Sequence, residues 1–144
     1  MSRFETTALA GLMLLGSLVS APAAETPLPD AIAAPGETVM LAVHAEGAQV
    51  YDCKAAPDGK LAWAFREPIA TLTSDGKTVG RHYAGPNWEH IDGSVVTAKA
   101  AGSAPGATPN DIPCLKLNVV SSRGRGILTG VPTVQRLNPS GGQL

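Results

Sequence analysis

The chain has 144 residues, a formal net charge of −1 and 16% charged residues. A charge so near zero excludes the basic footprint of a nucleic-acid binder and the polybasic stretch of a membrane-surface protein. The two cysteines show no C-x-x-C spacing and make no structural zinc site on their own. No phosphate loop, G-x-S-x-G elbow or H-E-x-x-H motif is present, so no cofactor is implied.

Chain order begins with Arg3, an apolar run from Ala8 to Val19 and then Ser20-Ala21-Pro22-Ala23-Ala24. A basic residue, a short apolar segment and an A-x-A-like site are the parts of a signal peptide, with cleavage expected after Ala23. The run is too short to span the roughly 20 residues of a transmembrane helix. Residues 1–23 therefore read as a signal peptide of a secreted or periplasmic protein. Residues 24–37, with Pro27, Pro29 and Pro35, read as an extended leader, and 38–144 as a single β-rich domain.

From Thr38 onward the pattern is alternation, not the helical period. Val39, Leu41, Val43 and Ala45 share one face, as do Leu61, Trp63 and Phe65, and again Leu115, Leu117 and Val119. Three Asp-Gly pairs, Asp58-Gly59, Asp75-Gly76 and Asp92-Gly93, recur at intervals of 17 residues. Glycine supplies the positive φ of a short hairpin turn, so each pair predicts a hairpin. Further strands are expected over Cys114–Ser121 and Ile127–Arg136, with Pro132 marking an edge or bulge. Eight or nine short strands without a helix predict an all-β fold, a single antiparallel sandwich or barrel-like domain built from tandem hairpins.

Acidic residues gather between Glu25 and Asp58, and basic ones after Asp111. Pairing of the two ends across the fold is the expected consequence. In an exported chain Cys53 and Cys114 suggest a disulfide, with a metal site or a nucleophile less expected from two thiols.

The densest chemistry lies in Arg81-His82-Tyr83 and Asn87-Trp88-Glu89-His90. His82 with Glu89 would make a base and its orienter, the reading of a small cofactor-free enzyme. His82, His90 and Glu89 also contain metal-ligating atoms, but their spacing is not that of a zinc site, and no metal is expected. Tyr83, Asn87, Trp88 and Arg136 are the candidate ligand-binding residues, because an aromatic face beside polar neighbours suits a small molecule or carbohydrate. The plainest alternative is structural: a tight Gly85-Pro86 turn, Trp88 packed beneath it and His82 bonded to the backbone. Arg136 is expected to pair with an acid, Glu67 or Glu89. A binding or surface-associated module is preferred over an enzyme.

Certain runs carry a resemblance. Gly47-Ala48-Gln49-Val50-Tyr51-Asp52-Cys53, Trp63-Ala64-Phe65-Arg66-Glu67-Pro68 and Gly80-Arg81-His82-Tyr83-Ala84-Gly85-Pro86-Asn87-Trp88-Glu89 stand in order, followed by Asp92-Gly93-Ser94, Ile112-Pro113 and Val134-Gln135-Arg136-Leu137-Asn138. Together they resemble the exported family known as domain of unknown function 3455, found in bacteria and fungi. The resemblance implies an exported, β-rich single domain and no agreed activity. Family members usually carry tryptophan where Cys114 stands, and continue past Gly141-Gly142 with a further cysteine and a last strand. On that comparison the chain looks shortened, with a sheet edge left unpaired. Cys53 would lack its usual partner, and Cys114 would be a substitute or a free thiol.

Overall fold

The computed structural model describes residues 27–143, and the expected signal peptide lies outside them. Seven strands run in one antiparallel sheet in simple sequence order. They are β1 (His44–Ala55), β2 (Leu61–Ser74), β3 (Lys77–Tyr83), β4 (Asn87–His90), β5 (Val95–Ala104), β6 (Cys114–Arg123) and β7 (Thr133–Arg136). No helix occurs among the described residues.

All three Asp-Gly pairs turn hairpins. Asp58-Gly59 lies between β1 and β2, Asp75-Gly76 between β2 and β3, and Asp92-Gly93 between β4 and β5. At the second pair both turn residues have positive φ, 49° and 72°. That is the left-handed geometry whose twist matches the flanking strands. Asp92 closes its turn differently. Its carboxylate accepts from the Ser94 amide at 2.9 Å, the Ser94 hydroxyl at 2.6 Å and the Ile127 amide at 2.7 Å. These donors stabilise the anion and hold its pKa far below the usual carboxylate range.

Elsewhere the strand pattern departs from the alternation. Residues 38–43 are not strand, and Val39 is 79% exposed. Apolar alternation makes a strand only where a neighbour supplies hydrogen bonds, and β2 ends its pairing with β1 at His44. Only Thr133–Arg136 of the predicted last strand is extended, since 124–130 form turns around Gly124, Gly126 and Gly130. In place of the two layers of a sandwich there is one sheet, and β1 and β7 do not pair, so it does not close as a barrel.

The sheet is nevertheless curled. The chain after β7 returns past Asp111, whose carboxylate accepts from the Gly141 amide at 2.6 Å, and the Tyr51 hydroxyl of β1 donates to the Gly142 carbonyl at 3.2 Å. Leu72, Val96, Ala98 and Leu117 are buried on the concave side, and Val95, opposite Glu89, is buried on the other. Ile32 is buried to 1% exposure, so the stretch expected as a leader packs against the domain over its described part. Gln135 Nε2 and Lys116 Nζ fasten it by donating to the Ile32 and Ala33 carbonyls, at 2.6 and 3.1 Å.

β3 pairs only with Ala70–Ser74 of β2. The rest of β2 therefore has β1 as its one neighbour, and the two project as a ribbon. Pro68 falls in this single-sided stretch, where a missing backbone donor is tolerated.

Candidate functional site

The register of β3 and β4 decides which side chains meet. His82 stands opposite Trp88 and Arg81 opposite Glu89. Because successive residues of a strand point to opposite faces, these two pairs lie on opposite sides of the sheet. The structure thus brings His82 to Trp88 and does not bring it to Glu89, so no base and orienter are assembled. The same alternation keeps Glu89 from converging with His82 and His90 on a metal.

On the convex face Glu89 is fully engaged. Its carboxylate accepts from Arg81 Nη2 at 3.0 and 3.1 Å and from the Tyr83 hydroxyl at 2.8 Å. Arg123 Nη2 donates to the same Tyr83 hydroxyl at 2.8 Å, and the Arg81 guanidinium lies 4.9 Å above the Tyr83 ring. The Tyr83 hydrogen bond, followed by that from Arg81, lowers the Glu89 pKa. Asn87 is also spoken for, with its amide donating to the Ala84 carbonyl and accepting from Thr97 Oγ1 at 2.6 Å. Two of the expected ligand-binding residues, Tyr83 and Asn87, are thus occupied in holding the hairpin together.

The concave face differs. The His82 and Trp88 rings stack with centroids 4.2 Å apart and planes 17° from parallel. His82 Nδ1 lies 2.8 Å from the Asn87 carbonyl oxygen. An oxygen acceptor there requires Nδ1–H, which leaves Nε2 as an acceptor in the neutral ring. Burial, aided by the positive charge of Arg136, lowers the His82 pKa below its ordinary 6.5 despite the opposing bond to Asn87. Neutral imidazole is therefore the form at neutral pH.

His82 and Trp88 help to line a cavity of about 570 Å³, together with Tyr51, Phe65, Leu117 and Arg136. Tyr51 and Phe65 meet edge to face at 5.7 Å. A second cavity of about 650 Å³ lies at the other end of the concave side, against the 37–43 segment and Leu72, and Trp88 borders both. The first has the convergent polar groups expected of a ligand site. Trp88 and Arg136 are thus the expected residues that share a site. Tyr51, Phe65 and Gln49 lie inside two of the runs that carry the family resemblance, but the sequence did not single them out as ligand-binding residues. Their convergence depends on the curl of the sheet.

Arg136 does not make the expected ion pair. Glu67 binds Arg66 Nε at 2.9 Å and Glu89 binds Arg81, while Arg136 Nε and Nη2 donate to the Pro113 carbonyl at 3.0 and 2.8 Å. Acid–base pairing in the fold is largely between near neighbours, Lys54–Asp52 and Lys60–Asp58 included. Cys53 is exposed on β1 and Cys114 opens β6, and both thiols are free.

The sequence pattern of the family described as Protein of unknown function (DUF3455) matches residues 34–77 and 73–144. The chain belongs to that family. No curated protein matches it, and no solved structure does.

Proposed function

We propose that this chain is an exported binding module that holds a small organic molecule in the concave cavity. The observation that carries the reading is the wall of that cavity. Tyr51, Phe65, His82 and Trp88 supply aromatic surface from four strands, with Gln49 and Arg136 as polar points. A volume of about 570 Å³ is of the size that encloses a small ligand. Trp88 already has one face against His82, so a planar ligand sliding along the aromatic wall suits the site better than a sugar on an open platform. The alternative of a His82–Glu89 enzyme draws no support, since the two side chains face opposite ways. Export is supported by the three-part leader of residues 1–23, and the secreted protein is expected to begin at Ala24 by N-terminal sequencing.

The test is a titration with β-naphthylmethanol, followed by the two indole N–H signals in NMR spectra. Trp63→Phe assigns them. The Trp88 signal is expected to move and the Trp63 signal to stay. Phe65 is 56% exposed, so Phe65→Ala is expected to keep the fold while weakening binding about fivefold. An unmoved Trp88 signal, or affinity unchanged in Phe65→Ala, overturns the reading. Stronger binding of a methyl glucoside than of the naphthyl probe replaces it with carbohydrate recognition.

A further inference from the structure

The cavity wall is one-sided in charge. Arg66, Lys99 and Arg136 line it, and no acidic side chain does so among the described residues. The neighbouring cavity differs: Glu37 stands in its lining and neither lysine nor arginine does among the described residues.

The three cations are not equivalent. Arg66 is shared between Asp52 at 3.2 Å and Glu67 at 2.9 Å, so its charge is offset. Lys99 is exposed and well hydrated. Arg136 is half-buried and has no carboxylate partner among the described residues. Its Nε–H and one Nη2–H are fixed on the Pro113 carbonyl. That anchors the side edge of the guanidinium and leaves the Nη1/Nη2 edge, with three N–H donors, unused by any described residue. Burial opposes its charge without removing it, because guanidinium stays protonated. A partly desolvated cation with unused donors is unfavourable on its own. A planar anion placed on that edge would restore the lost hydrogen bonds in the paired geometry that arginine favours.

We infer that the ligand of this cavity is an aromatic or conjugated monocarboxylate, its carboxylate on the free edge of Arg136 and its body against Tyr51, Phe65 and Trp88. This rests on the binding reading above and adds the ligand's charge class. Arg136 is the one partly buried cation of the wall without a carboxylate partner among the described residues, and one desolvated positive charge favours a carboxylate over a dianionic phosphate. Gln49 and the neutral His82 stand in the same lining, so no acidic side chain among the described residues opposes entry.

The experiment compares β-naphthoate with its neutral counterpart β-naphthylmethanol on the wild-type chain and on Arg136→Gln. Wild type is expected to bind the carboxylate about tenfold more tightly. Raising NaCl from about 20 mM to about 500 mM is expected to weaken the carboxylate and leave the alcohol unchanged. Arg136→Gln keeps a donor for the Pro113 carbonyl and is expected to bind the two probes equally. Equal affinity in wild type, or a preference that survives in Arg136→Gln, overturns the charge class while leaving the cavity as a binding site. Binding of neither probe overturns both. The alcohol and salt comparisons use the wild-type chain, so they decide the matter even where the variant does not fold.

Discussion

The two faces of the β3–β4 hairpin are built from interleaved residues, yet they differ in what they leave unfinished. On the convex face Arg81, Tyr83, Glu89 and Arg123 form a closed set in which the carboxylate and the phenol are both satisfied. On the concave face His82 and Trp88 stack over a cavity, and Arg136 presents donors that no described group accepts. Polar clusters that are complete stabilise, whereas an incomplete one inside a cavity is a place where another molecule has something to add. The richer collection of chemical groups is on the convex side, but the opportunity for recognition is on the other.

That contrast makes distinct demands on substitutions. Trp88→Ala removes the ring that separates the two cavities and stacks on His82. It is expected to cost about 3 kcal/mol in urea unfolding, and Glu89→Gln on the opposite face is expected to lower the unfolding midpoint by much less. A comparable loss in the two variants would mean that both faces bear the fold equally.

Next in size is Gly80→Ala. Gly80 stands opposite His90, and a Cβ there would run into the Glu89 backbone carbonyl. Backbone cannot swing aside as a side chain does, so β3 and β4 must part, at about 2 kcal/mol. Because both faces share this strand pair, the Trp88 indole signal and the Tyr83 ring signals in NMR spectra are expected to change together. A variant as stable as wild type would show that the hairpin has slack.

The smallest effect is a pH slope. His82 is buried with its pKa below the ordinary 6.5, so the unfolded chain takes up the proton more readily than the folded one. Stability is then full above about pH 6.5 and falls as the pH drops below it. Glu89, Asp92 and Asp111 also have lowered pKa values, but their contribution is lost only from the ordinary carboxylate range downward, so the histidine dominates the window from pH 7 to 5. His82→Gln is expected to flatten the unfolding midpoint across that window. An unchanged slope in the variant would mean that the concave face does not desolvate the ring.

Much of the scaffold was legible in the chain itself. Asp58-Gly59, Asp75-Gly76 and Asp92-Gly93 mark three hairpins, because the φ each turn needs belongs to the residues at the turn and not to their surroundings. The absence of helix among the described residues followed from local alternation in the same way. Trp88 and Arg136 were recognisable as suspects from residue type.

What stayed hidden depends on partners distant in sequence. Residues 38–43 alternate like a strand, but a strand exists only when another edge is there to bond it. The number of sheets depends on how the hairpins pack. His82 and Glu89 look like a pair in the sequence, and only the one-residue offset of the β3–β4 register sends them to opposite faces. Arg136 looked destined for Glu67 or Glu89, yet Glu67 takes its sequence neighbour Arg66, and the β3–β4 register sets Arg81 opposite Glu89. By itself the sequence determined the turns, most of the strand-forming segments and the family. Register and curl, which are properties of the paired sheet, decided which side of it could receive a ligand.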